Sequence, residues 1–104
     1  MSYKDSGVVQ KVADDTLKLS GVIDFDTTPL LEKSLNTALS DISAKTVVLD
    51  LTDLDGFNTA GLACLVNCAI TVRNHGQCLQ LQNVPANVHK LAKLSGVDSI
   101  LGLQ

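Results

Sequence analysis

The run Thr46-Val47-Val48-Leu49-Asp50-Leu51 has the nearly continuous apolar character of a central strand covered on both faces. It constrains everything around it, because a strand of that kind belongs to a mostly parallel sheet, and parallel neighbours need crossover connections. Helical patterns stand on both sides of it. Upstream, Thr28 reads as a cap, Pro29 as the first helical residue and Glu32 as a first-turn acid at the positive dipole end. Leu31, Leu35, Ala38 and Ile42 then recur at helical spacing as one buried stripe. Downstream, residues 52–57 read as a polar loop, and Asn58 or Thr59 caps a second helix that runs to about Asn74.

The remaining segments repeat the alternation. His75-Gly76 is a turn, Cys78 to Gln82 another strand, and Pro85 or Asn87 opens a third helix with Val88, Leu91 and Ala92 inward, stopped by Gly96. Residues 100–103 read as a last short strand or a tail. At the other end, residues 8–11 and 16–19 are β-prone runs joined through Ala13-Asp14-Asp15 as a hairpin. Leu17 and Leu19 alternate with Thr16, Lys18 and Ser20 as a half-buried strand should, and Gly21 lets the chain bend toward Asp24. The order β-β-α-β-α-β-α predicts an α/β fold. Its sheet is mixed and mostly parallel, with an N-terminal antiparallel hairpin and about three helices. The 104 residues fit one domain, residues 1–104.

Several function classes are excluded by what is missing. Eight Lys and Arg residues are scattered through a chain of net charge −3, without the basic stripe of a nucleic-acid binder. Cys64, Cys68 and Cys78 are an odd number in a core-rich chain, which points to a reducing compartment and against a disulfide framework. Cys64 and Cys68 would share a helix face, yet no Cys or His pair at zinc spacing accompanies them, so no metal or cofactor is expected. Met1-Ser2-Tyr3-Lys4-Asp5 is followed by no apolar region of a secretory signal, and no apolar run reaches the roughly 18 residues that span a bilayer. A cytoplasmic protein without direct membrane insertion is expected.

Catalytic parts are missing too. The chain has no glycine-rich phosphate loop, nucleophile elbow or His-Glu-x-x-His helix. His75 closes a turn, and His89 shares its helix with Lys90 and Lys93, so both are expected to face solvent. Asp24, Asp26, Asp50, Asp53 and Asp55 fall at strand ends or in loops, where capping and turn formation explain them. The chain is not read as an enzyme.

One helix is unusual. From Gly56 through Val72 no residue is charged. At 100° per residue, Leu62, Leu65, Ala69 and Val72 point one way, and Ala60, Ala63, Cys64, Asn67, Thr71 and Asn74 the other. A solvent-facing helix surface usually carries Lys, Glu or Arg, so this small, uncharged face is expected to dock on a partner. At its start, Asn58-Thr59-Ala60-Gly61-Leu62 turns a loop into a helix. Gly61 costs up to about 1 kcal/mol relative to alanine in a helix, so something is expected to approach it closely.

These residues resemble the STAS domain family. Leu19-Ser20-Gly21-Val22-Ile23-Asp24 with Thr27-Thr28-Pro29-Leu30 is similar to its opening motif, and Val48-Leu49-Asp50-Leu51 with Asn58-Thr59-Ala60-Gly61-Leu62 to its signature strand–loop–helix. Leu81-Gln82-Asn83-Val84, residues 88–94 and Gly96-Val97 resemble the strand and helix that follow. In one branch of the family, the anti-anti-sigma factors, a Ser or Thr at the helix start is phosphorylated by a kinase that is also the partner. In another, MlaB-like proteins dock on the ATPase of a phospholipid-trafficking ABC transporter. The pattern Asp24-Phe25-Asp26…Pro29-Leu30, with Gly61-Leu62-Ala63 and Leu91-Ala92-Lys93-Leu94, resembles the MlaB-like branch more closely.

The resemblance implies a non-catalytic docking subunit that binds the ATPase of an Mla-type transporter at the cytoplasmic face of the inner membrane. An anti-sigma factor antagonist whose partner is an anti-sigma factor kinase is the alternative. Thr59 matches the acceptor position and Asp24 an acidic position near it, while Asn58 stands where anti-anti-sigma factors usually have Asp. The partner-binding set is expected to be Asp24, Asn58, Thr59, Ala60, Gly61, Ala63, Cys64, Asn67 and Thr71. The family's usual final helix is expected to be absent or very short, because the sequence stops soon after Leu103.

Overall fold

Alternation in the first half of the chain builds a hairpin on which the rest is assembled. The computed structural model describes residues 8–103, so the segment Met1–Asp5 lies outside the described residues. Strand β1 (Val8–Ala13) pairs antiparallel with β2 (Thr16–Ile23) through a two-residue turn at Asp14 and Asp15. Helix α1 (Thr28–Ser40) crosses to β3 (Thr46–Phe57), α2 (Thr59–Asn74) crosses to β4 (Cys78–Gln82), and α3 (Ala86–Leu94) follows. The sheet order is β1-β2-β3-β4, with β2–β3 and β3–β4 parallel. This is the mixed sheet with an N-terminal hairpin and three helices read from the sequence.

Burial follows the strand period. Leu17, Leu19 and Ile23 of β2 and Val47, Leu49 and Leu51 of β3 share one core with Leu31, Leu35 and Leu39 of α1. Leu62, Leu65 and Val72 of α2 and Val88 and Ala92 of α3 complete it. All three helices therefore serve one face of the sheet. The other face carries Gln10, Thr16, Lys18, Thr46, Asp50, Cys78 and Gln80, half-buried or exposed, with Val48 the buried exception. The expectation that β3 is covered on both faces is thus corrected: its apolar run looks two-sided only because Val48 stands between Thr46 and Asp50 on the outer face of that strand.

Strand lengths are corrected as well. Residues 52–57 are strand, not loop, because they pair with β2 from Ser20 to Ile23 after β4 has ended opposite Asp50. Gly21 does not end β2 but lies inside it at φ +84°, a left-handed conformation suited to glycine, where the register between the two strands shifts. Residues 98–102 form turns and residues 100–103 no strand, and Leu101 and Leu103 are buried. The cap of α1 is Thr27 and not Thr28, which is the first helical residue and buried; Glu32 consequently sits in the second turn. Ile42 is buried beyond the end of α1, and Leu39 takes the place in the stripe expected for half-buried Ala38.

Two polar networks trim the sheet. Asp50 Oδ1 accepts from the Thr52 amide and hydroxyl and from Asn83 Nδ2, which ties the end of β4 to β3. The Thr52 hydroxyl, then Asn83, hold the Asp50 carboxyl below the usual carboxylate range. Beside it, Lys18 Nζ meets Asp53 at 2.7 Å.

Candidate docking site

Strand register decides what meets at the upper edge of the sheet. Ile23 pairs with Phe57, so Asp24 and Asn58 each leave the sheet one residue later, side by side in sequence register. Asp24 then builds the turn into α1: its Oδ1 accepts from the amides of Asp26 (2.9 Å) and Thr27 (3.1 Å). The Thr27 hydroxyl accepts from the Asp24 amide and donates to the Val22 carbonyl, both at 2.9 Å.

Asn58 does the corresponding work for α2. Its Oδ1 accepts from the amides of Ala60 (3.0 Å) and Gly61 (3.4 Å), satisfying two donors that the helix leaves unpaired. Thr59 is therefore not the cap. It is exposed at the first helical position, and among the described residues no hydrogen bond engages its hydroxyl. An uncommitted hydroxyl thus stands at the positive end of the longest helix.

Further along α2, Ala63, Asn67, Ile70 and Asn74 are exposed, with Ala60 and Thr71 half-buried on the flank. Cys64 is corrected: it is only 1% exposed and belongs to the core. Burial pushes its thiol up to about 11, and the nearby Glu32 carboxylate adds to the rise, which puts this flank of α2 beside α1. Cys68 is pushed up to about 12, first by burial and then by Cys64. Both thiols are neutral at ordinary pH and unsuited to nucleophilic work.

Gly61 also faces inward. An added Cβ would meet the Phe57 ring at 2.7 Å and Ile23 Cγ2 at 3.0 Å, so the close approach expected at this glycine comes from the chain's own Phe57. Of the expected set, then, the structure gathers Asp24, Asn58, Thr59 and Ala60 at one edge, extends them through Ala63 and Asn67, and withdraws Gly61 and Cys64. It adds Ile70, 47% exposed, which shares the helical spacing of Thr59, Ala63 and Asn67 and was readable from it. It also adds Phe25, 70% exposed on the turn after β2, and Leu30, 76% exposed in the first turn of α1, which no periodicity marks.

Other groups lie apart from this edge. His75 is exposed, with Nδ1 2.9 Å from the Thr71 carbonyl at the end of α2, and His89 is exposed on α3. Among the described residues no three His, Cys, Asp or Glu side chains converge as metal ligands. No helix among them is long and apolar enough to cross a membrane.

A family model described as Mlab, STAS domain, matches residues 6–103. Among solved structures, an anti-sigma factor antagonist from Mycobacterium paratuberculosis superposes with a TM-score of 0.71 at 23% identity, over 99% of this chain and 89% of that one. The anti-sigma factor antagonist SpoIIAA in its unphosphorylated form gives 0.70 at 15% identity, over 92% and 85%. The Bacillus cell fate determinant SpoIIAA in the phosphorylated form gives 0.67 at 14%, over 92% and 88%. At these identities the structures show a shared fold.

Proposed function

The chain belongs to the Mlab, STAS domain family, and from that membership we propose that it is a non-catalytic docking subunit for the ATPase of an Mla-type phospholipid-trafficking ABC transporter. It would work at the cytoplasmic face of the membrane through that partner. The observation that carries the reading is Thr59, exposed and free of capping duty because Asn58 performs it. A side chain relieved of its structural task, at the head of a helix whose outer face is uncharged through Ala63, Asn67 and Ile70, suits a close protein contact.

The second reading is an anti-sigma factor antagonist, switched by phosphorylation at Thr59. It is supported by the fold shared with SpoIIAA, which exists in phosphorylated and unphosphorylated forms. Asn58 speaks against it, standing where that branch usually carries Asp.

The test is reconstitution of the purified domain with an Mla-type ATPase and, separately, with an anti-sigma factor kinase. The transporter reading expects a complex with the ATPase that Thr59→Glu disrupts without loss of thermal stability. A carboxylate at that position suits the helix dipole by about 0.3–1 kcal/mol, so loss of binding cannot be blamed on unfolding. Binding and phosphorylation by the kinase, with no ATPase complex, replaces this reading with the second.

A further inference from the structure

The two edges of the sheet differ in how they are guarded. β1, at one end of the strand order, carries Lys11 and breaks its register with β2 between Lys11 and Ala13. A lysine and a bulge are devices that keep an edge strand from pairing with another chain. β4, at the other end, has neither. Its ladder with β3 runs without a register shift, and no residue from Gly76 through Val88 is charged.

The backbone of the β4 edge is free. Cys78 donates its amide to the Lys45 carbonyl at 2.8 Å. By strand alternation Gln80 and Gln82 also bond toward β3, and the amides and carbonyls of Leu79 and Leu81 point outward. Among the described residues no hydrogen bond engages them on that side. The turn after α3 closes its bonds on itself, Leu101 to Val97, Gly102 to Ser99 and Leu103 to Asp98. It stands across a cavity of about 260 Å3 from Leu79. Leu79 and Leu81 pack against the core yet stay half-buried, so cover is incomplete along this edge.

What fits the edge can be read from the strand. About Gln80, the run Cys78-Leu79-Gln80-Leu81-Gln82 is nearly the same in both directions. Set antiparallel against itself on a twofold axis at Gln80, it places Leu79 of one copy opposite Leu81 of the other. Those two residues, both with outward amides and carbonyls, would exchange both backbone bonds. The faces match as well, leucine beside leucine inside and the two Gln80 amides side by side outside. We propose that β4 pairs in this way with β4 of a second copy, which joins two sheets into one through an isologous contact. No like charges meet at this axis, whereas pairing of two β1 edges about Lys11 would bring two lysines together. The contact lies in the plane of the sheet. It leaves the exposed face of α2 free, and it stands or falls independently of docking there.

Amide hydrogen exchange of the full chain over a concentration series, run beside sedimentation velocity, tests this. The mean mass is expected to rise with concentration from 11.0 kDa toward twice that value. The Leu79 and Leu81 amides should slow in step with it. Gln80→Lys and Gln80→Glu lie on the exposed outer face, so each should keep the parental melting temperature at low concentration. Each should also weaken the dimer about tenfold or more, because like charges then meet at the axis, and an equal mixture of the two should restore it. A monomer at every concentration overturns the proposal, as does a dimer whose Leu79 and Leu81 amides stay unprotected. So does a dimer that both charge variants leave intact, or a mixture no tighter than either variant alone. The exchange experiment needs no substitution and decides the matter even if a Gln80 variant folds poorly.

Discussion

Neighbouring residues at the head of α2 divide structural and functional labour, and substitution separates the two roles. Asn58 accepts two helix amides, so Asn58→Ala should cost about 0.5–2 kcal/mol of folding stability. Thr59 makes no such bond, and Thr59→Ala should stay within about 0.5 kcal/mol of the parent, as an exposed surface change does. Thermal melts of the two variants decide the matter; a loss at Thr59 as large as that at Asn58 would make its hydroxyl structural after all. Gly61 poses a related contrast. Alanine gains up to about 1 kcal/mol of helix propensity over glycine, yet its methyl would press into the Phe57 ring and Ile23. Overpacking of that kind costs about 1–3 kcal/mol, so Gly61→Ala should lower the melting temperature. A rise would mean that the ring swings aside freely.

At the scale of elements, the helices and the last strand were legible from their apolar periodicity, although the cap of α1 lies one residue earlier than read. Helix α2 spans Thr59–Asn74 and β4 Cys78–Gln82, as their patterns predicted. The second half of β3 was not legible. Thr52, Asp53 and Asp55 look like loop residues, but they lie on a partly solvated stretch paired only with β2, where a carboxylate such as that of Asp53 can reach Lys18. Nor does a sequence show which helix flank a neighbour covers, so Cys64 looked like an outer residue until α1 was placed beside it. The proposed docking face shrinks accordingly to the exposed residues Thr59, Ala63, Asn67 and Ile70. Arg at Ala63 projects into solvent in the free domain, so Ala63→Arg should melt within about 0.5 kcal/mol of the parent. In a complex packed on this face the same side chain would be forced into a dry contact and should abolish it. Circular dichroism and co-purification with the ATPase check both halves; normal folding with parental binding would move the interface off α2.

Across the whole molecule, the three cysteines form a built-in gauge of cooperativity. Cys78 is exposed on β4, whereas Cys64 and Cys68 lie in the single core shared by β2, β3 and all three helices. Fraying at the ends of α2 does not uncover mid-helix side chains pressed against that core, so a thiol reagent should reach them only through global opening. One equivalent should react at once in the native protein, and the other two with a rate that tracks the unfolding equilibrium as denaturant is added. The pH profile carries a matching signature. In the folded state the two thiols are raised to about 11 and about 12 from 9.0, so the unfolded chain ionises first. Their contribution is fully present below pH 9.0 and is lost as pH rises through the folded values. Cys64→Ala with Cys68→Ala would lower stability overall by opening small cavities, yet it should flatten the alkaline decline. Denaturant midpoints from pH 7 to 11 for the parent and the double variant measure this. An alkaline slope unchanged by the substitution would assign the decline to other groups, and fast labelling of all three thiols would show that α2 opens without the rest of the fold.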